Sequence, residues 1–163
     1  MSPVRQARPE DLPAILAIES EVIERSHANF HTEPRSLEAL EAEWARDHAR
    51  YPWLVLEQDG RVVGYARGSG YKPRAAYAGT AEVTVYLEPD ARGRGWSRVL
   101  HGALIERLRE AGFHLALAGI ALPNDASVAL HEGLGFERAG LLPEVGWRSG
   151  AWRDVALYTL RLS

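Results

Sequence analysis

One stretch, from Thr80 to Leu122, limits the folds open to this chain more than any other. From Thr80 to Leu87 the side chains alternate, with Val83, Val85 and Leu87 facing one way and Glu82, Thr84 and Tyr86 the other. That is the period of a strand with one buried face. Past Pro89, a glycine-rich turn gives way to a helical period with Trp96, Val99, Leu100, Ala103, Leu104 and Leu108 along one stripe. Leu115 to Leu122 is then continuously apolar, as a strand covered on both faces is. A strand, a helix and a strand in that order make a crossover between parallel neighbours.

The flanking segments surround this unit with antiparallel pairing. Pro3 to Arg8 reads as a short first strand. From Asp11, the residues Leu12, Ile15, Leu16, Ile18, Val22 and Ile23 recur at helical spacing, and Leu37, Leu40 and Trp44 mark a second helix with an acidic outer face. Trp53 to Leu56 reads as a buried strand, Asp59-Gly60 as a tight turn, and Val62 to Gly68 as the hairpin partner. Asn124 and Asp125 can cap a short helix that ends near Gly133 to Gly135. From Phe136 onward two last strands turn near Ser149 and Gly150. The predicted order is β-α-α-β-β-β-α-β-α-β-β, an α/β (α+β) domain with helices on a mixed, mostly antiparallel sheet. Without an internal repeat or long linker, residues 1–163 are expected to form one domain.

Composition removes several chemistries. The chain has no cysteine, so disulfides, thiolate catalysis and cysteine-based zinc sites are excluded. A net charge of −3 without a basic stripe argues against a nucleic-acid partner. Neither a signal peptide nor a run of membrane-spanning length is visible, and a cytoplasmic protein with no membrane partner is expected. His27 and His31 could lie four apart on a helix, yet no carboxylate pattern accompanies them, so no metal site is expected. His48, His101 and His114 read as surface residues.

The chemistry concentrates around the crossover. Arg92-Gly93-Arg94-Gly95-Trp96-Ser97-Arg98 joins strand to helix, and no carboxylate falls between Ala91 and Ile105. Backbone N–H groups at a helix N-terminus attract anionic oxygens, so the segment is either a phosphate cradle or a glycine turn with solvated arginines. It lacks the Gly-Lys-Ser/Thr of a P-loop. Glu82 is either a surface glutamate or a base facing a cleft, and Asn124 is at least a helix cap.

Arg-x-x-Gly-x-Ser resembles the pyrophosphate loop of the GNAT superfamily, with Ser97 standing where glycine or alanine is usual. Leu122-Pro123-Asn124-Asp125-Ala126-Ser127 followed by Leu130-His131-Glu132-Gly133-Leu134-Gly135-Phe136 is similar to that superfamily's second cofactor element, with His131 in place of its tyrosine. Further motifs run collinearly from Arg5 to Leu162. They are Asn29-Phe30-His31-Thr32-Glu33-Pro34, Tyr51-Pro52-Trp53-Leu54-Val55, Tyr71 to Tyr77, Thr80 to Tyr86, and Gly146 to Val155. Together they resemble the phosphinothricin N-acetyltransferase family, which also acts on methionine sulfone and methionine sulfoximine.

The resemblance implies a GNAT fold and acetyl-CoA as co-substrate. It places the coenzyme against Val85, Tyr86, Leu87, Arg92, Gly93, Arg94, Gly95, Trp96, Ser97, Arg98, Asn124 and Ser127, with Gly112 to Gly119 on the other side. It implies Glu82 as base, His131 as proton donor or relay, and Phe30, Lys72, Arg74, Tyr77 and Thr84 around a small amino-acid-like substrate. Ala78-Gly79 replaces the bulky aromatic often found before Thr80, which implies a wider or differently shaped pocket. The family also suggests a homodimer, with Trp147, Trp152 and Tyr158 as either candidate contacts or core residues. Two rivals stay open: an acetyltransferase for another amine (a protein N-terminus, a polyamine or an aminoglycoside), and a coenzyme-binding module without turnover. Lys72 and Arg74 argue against a polycationic substrate, and Glu82 with His131 argues against loss of turnover.

Overall fold

The hairpin that starts the sheet forms where the apolar run of Trp53–Leu56 gives out. Asp59 (φ 53°) and Gly60 (φ 74°) both adopt left-handed backbone, the requirement of the tight turn that matches strand twist. In the computed structural model, which describes residues 2–163, the elements are β1 (Val4–Gln6), α1 (Leu12–Arg25), α2 (Leu37–Asp47), β2 (Trp53–Gln58), β3 (Arg61–Gly70), β4 (Thr80–Leu87), α3 (Trp96–Glu110), β5 (Leu115–Ala121), α4 (Asp125–Gly133), β6 (Glu137–Arg148) and β7 (Ala151–Arg161). Their order is the one the periodicities predict. The strands form one seven-stranded sheet, β1-β2-β3-β4-β5-β7-β6, in which β4 and β5 are the parallel pair and the other neighbours run antiparallel. Among the described residues no helix is long and apolar enough to cross a membrane.

Alternation sends the side chains of β2, β3 and β4 into two cores. On one face Leu54, Leu56, Ala81, Val83 and Leu87 meet Leu100, Leu104 and Leu108 of α3, with Phe113, Ala116 and Phe136. On the other face Trp53, Val55 and Tyr65 meet Ile15 and Ile18 of α1 and Leu40 of α2. The polar face of β4 lies on this second side, because Tyr86, Thr84 and Glu82 pair in register with Tyr65, Arg67 and Ser69.

Three expectations are corrected or decided by the packing. The buried stripe of α3 contains His101 and Ile105, whereas Val99 is 46% exposed. His101 is therefore a core residue. Its ring packs between His131 and Phe136, contacts that a hydropathy pattern counting imidazole as polar does not register. Tyr158 also belongs to the core, with its hydroxyl donating to Glu132 at 3.2 Å. His27 and His31 share no helix, because α1 ends at Arg25 and the chain is irregular up to the Ser36 cap of α2.

Leu104 is fully buried at the centre of the α3 side. Leu104→Ala is expected to lower stability by about 2–5 kcal/mol, read as a reduced urea midpoint at unchanged slope. A loss below about 1 kcal/mol would mean that α3 does not carry this core.

Candidate active site

The site begins with a ladder that stops. β4 and β5 are paired only at Thr80–Leu115, Ala81–Ala116 and Glu82–Leu117. β4 nevertheless continues to Leu87 beside β3, and β5 continues to Ala121 beside β7. Past Glu82 the two strands part, and a cleft of about 860 Å³ opens between Val83–Tyr86 and Ala118–Ala121. The far wall is thus 118–121 and not the whole of Gly112 to Gly119, since Leu115–Leu117 are still in the ladder and residues 112–114 precede it. Parted parallel strands leave backbone N–H and C=O groups without strand partners, and those groups need something to bond.

Around the opening the structure collects Glu82, Thr84, Val85, Tyr86, Phe30, Arg92, Gly93, Ser97, Asn124, Ser127 and His131. Glu82 sits at the apex, where pairing ends. Burial pushes its carboxyl above the usual range, and the nearby Arg67 guanidinium pulls it partly back. Arg67, which the sequence reading did not single out, is itself buried over the Trp53 ring at 3.9 Å. It pairs with Glu43 and Asp47 of α2, and burial lowers it to about 10. Its signal was available as an arginine at a core-facing position of an otherwise apolar strand. The network runs on through Arg35, which bonds Glu43 and grips both oxygens of Glu19 at 2.7 and 2.8 Å. The Tyr65 hydroxyl donates to Glu19 as well. A guanidinium suits such a fork because its donors are planar and paired.

The glycine turn forms the second side. Gly93 (φ 75°) and Gly95 (φ 80°) are left-handed, and Gly95 is the N-cap of α3 with no side chain capping the helix. A Cβ at either glycine would meet nothing within 4 Å, so backbone conformation and not crowding calls for glycine here. The first N–H groups of α3 are thereby left open at a helix N-terminus. The arginines are less free than their sequence suggests. Arg92 pairs with Glu21 at 2.7 Å and donates to the Leu87 carbonyl at 3.0 Å, and Arg98 donates to the Gly133 carbonyl. Leu87, Arg94, Gly95, Trp96 and Arg98 stand outside the cleft lining.

The α4 side supplies the remaining polar groups. Asn124 Oδ1 caps α4 by accepting the Ser127 N–H at 3.1 Å, and the residue also lines the cleft. His131 is buried, yet it reaches the lining. Its Nδ1 lies 2.7 Å from the Ser127 carbonyl and 3.4 Å from the Ser127 hydroxyl.

Phe30 hangs over the cleft from the loop between α1 and α2. The loop is tied down by Arg148 of β6, which donates to the carbonyls of Asn29 and Ile23. Gly146 on the same strand leaves room for the ring, since a Cβ there would lie 2.3 Å from Phe30. Lys72, Arg74 and Tyr77 are not brought into the lining. They occupy the β3–β4 connection at the closed end of the ladder, where Lys72 Nζ lies 5.3 and 5.8 Å from the Tyr71 and Tyr77 ring centroids.

Comparison with known proteins agrees with this geometry. The model of the Acetyltransferase (GNAT) family matches residues 16–136. A phosphinothricin N-acetyltransferase of Streptomyces viridochromogenes is 38% identical, over 95% of this chain and 85% of its own. An L-methionine sulfoximine/L-methionine sulfone acetyltransferase of Pseudomonas aeruginosa is 40% identical, over 98% and 94%. The crystal structure of a GNAT superfamily phosphinothricin acetyltransferase from Sinorhizobium meliloti, in complex with AcCoA, superimposes with a TM-score of 0.95 at 33% identity, covering 98% of this chain and 88% of that one. With strands that part beside a glycine-capped helix, and with relatives alike over nearly its whole length, this chain belongs to the GNAT acetyltransferase family.

Proposed function

We propose that this chain transfers the acetyl group of acetyl-CoA to the α-amine of a small amino acid or analogue of the phosphinothricin, methionine sulfoximine or methionine sulfone type. The observation that carries the reading is Glu82 at the apex of the β4–β5 opening, on the face shared with Thr84 and facing Phe30 across one cleft. The substrate class comes from the relatives at 38% and 40% identity.

The residues present fit the coenzyme. The open N–H groups at the start of α3, with Gly93 and Arg92 at the cleft, suit a diphosphate. Asn124 uses only its side-chain oxygen for the helix cap, which keeps its amide donors for the pantetheine amides. Acetyl-CoA supplies a thioester whose C–S bond breaks as the amine forms the new C–N bond. Glu82 takes the proton of the incoming ammonium group, directly or through water. Burial raises its pKa and makes it a stronger base than an exposed carboxylate. The backbone N–H of Val85, on the cleft lining, is assigned to the carbonyl oxygen where negative charge develops. His131 and Ser127 are assigned to the sulfur end. Phe30 and Thr84 bound the amino acid, whereas Lys72, Arg74 and Tyr77, implied for its acidic group, stand outside the lining of this cleft.

We also read the active form as a homodimer, in the cytoplasm where acetyl-CoA is available, with detoxification of amino-acid analogues as its use. The β6–β7 hairpin exposes Leu141, Leu142, Val145, Trp147 and Trp152. The two tryptophans form a cross-strand pair with ring centroids 5.3 Å apart. A contiguous apolar patch of this kind marks a contact surface, and a second copy is the occupant we assign to it.

Three outcomes test the proposal. Free-thiol release from acetyl-CoA is expected with methionine sulfoximine, methionine sulfone or phosphinothricin, and Glu82→Gln should lower kcat by about 10²–10⁴-fold while calorimetry shows coenzyme affinity unchanged. Activity on polyamines or peptide N-termini but on no amino acid would replace the substrate class, and an unaltered kcat would remove Glu82 from the mechanism. In pH profiles of kcat/KM, activity should fall on the acid side through a limb lying above 4.5, the ordinary carboxyl value, because protonated Glu82 cannot accept a proton. Arg67 favours the ionised form, so Arg67→Met should move that limb to higher pH, and a limb that stays put would sever the link. Trp147→Glu combined with Trp152→Glu should convert dimer to monomer in sedimentation velocity, whereas unchanged mass would place the interface elsewhere.

A further inference from the structure

The buried imidazole of His101 has no task in the transfer just described. His101 is fully buried on α3 and His131 is 7% exposed on α4. Their rings meet edge to face, with centroids 4.8 Å apart at 77°, and both pack on Phe136. Nε2 of one lies 3.1 Å from Nε2 of the other. Only one proton fits between two ring nitrogens at that distance, so one ring donates and the other accepts.

The donor can be named from the second nitrogen of His131. Its Nδ1 lies 2.7 Å from the Ser127 carbonyl oxygen, an acceptor with no proton to give, so Nδ1 carries the hydrogen. A neutral His131 then presents a lone pair at Nε2, and His101 supplies the N–H. His101 Nδ1 is left as a bare acceptor, and it is buried without any partner.

We propose that His101 is a positioning residue that, together with the Ser127 carbonyl on the other nitrogen, holds the His131 ring with its proton on Nδ1. The proposal rests on the assignment of His131 to the sulfur end of the cleft. Both nitrogens of His131 are then engaged, and the Ser127 hydroxyl, 3.4 Å from Nδ1 and on the cleft lining, is the donor left for the sulfur. His131 braces that segment and is not an acid, because loss of a proton from a neutral imidazole would leave an imidazolate. The proton of the substrate ammonium stays on Glu82 until solvent removes it. The sulfur leaves as thiolate near the Ser127 hydroxyl, and the second N–H proton, which the attacking amine sheds on becoming an amide, reaches the thiolate through water.

The surroundings keep the pair uncharged. Burial, and next the neighbouring His131, push His101 down to about 3. Burial lowers His131, while the Ser127 carbonyl partly opposes that. On α3 the adjacent cation, Arg98, is tied to the Gly133 carbonyl. On α4 Glu132 takes the Tyr158 hydroxyl of β7. Among the described residues no carboxylate bonds either ring. The pair's contribution to stability is therefore complete above 6.5, the ordinary imidazole value, and is lost as pH falls from there toward about 3.

Long-range proton–nitrogen NMR of the imidazoles in the full chain, across about pH 5 to 8, tests this without turnover. In the wild type, His131 should show a protonated Nδ1 and an unprotonated Nε2. In His101→Leu, Nδ1 should stay protonated on the Ser127 carbonyl while the Nε2 signal moves to that of a ring nitrogen without a hydrogen bond. His101→Gln, which returns an N–H donor, should restore the wild-type pattern. A wild-type His131 protonated on Nε2, or charged at neutral pH, overturns the proposal, and so does an unchanged spectrum in His101→Leu. If His101→Leu does not fold, the wild-type and His101→Gln spectra decide in the same terms. The spectra need no substrate, so a failure of the pair is separate from a failure of acetyl transfer.

Discussion

The site depends on a parallel ladder of three residue pairs that ends at Glu82. Two adjoining strands can separate in a folded protein only when each is held from its other side. Here β4 is bonded along its length to β3, and all of β5 to β7. The sheet behaves as two antiparallel halves joined at one end, with α3 packed across β2, β3 and β4 as the brace. The opening between them is lined by main chain, whose geometry does not depend on side-chain rotamers. A ligand that completes the interrupted hydrogen bonding takes the place of a missing strand.

Charge around this opening is arranged in depth. Glu82 is half-buried, and the cation nearest in effect, Arg67, is engaged by Glu43 and Asp47 of α2. Arg67 can therefore bias the titration of Glu82 without collapsing onto it as a salt bridge, which would quench its basicity. The same network carries Arg35 and Glu19, so α1, α2 and β3 are fixed relative to one another beneath the polar face of β4. Buried ion pairs add little net stability once desolvation is counted. Their effect here is geometric.

Much of this was legible in the residues. Alternation over Thr80–Leu87 and the switch to helical spacing after Gly95 gave the order of elements, and the same alternation placed Glu82 and Thr84 on one face. Glycine at positions 93 and 95 signalled the left-handed turn. The illegible parts share a cause, which is that they are contacts between distant segments. No local pattern ties Arg148 to the loop of Phe30 or Arg67 to α2, and His101 looked like surface because the partner of its Nε2 is another histidine thirty residues on. The Lys72–Tyr77 loop illustrates the reverse, since its composition suited a substrate carboxylate while its place at the closed end of the ladder keeps it out of the cleft lining.

Strand β6 carries two duties on alternate residues. Gly146 and Arg148 face inward and hold the Phe30 loop, while Trp147 between them faces out among the exposed apolar side chains. Whatever packs on the outer row stiffens the strand on which the inner row sits. If the outer row is where a second copy docks, as proposed, assembly and the setting of the Phe30 loop are coupled. A sequence drifting under selection on that contact would retune the aromatic wall of the cleft at the same time, and its shape could diverge among relatives with no change in any residue that lines it.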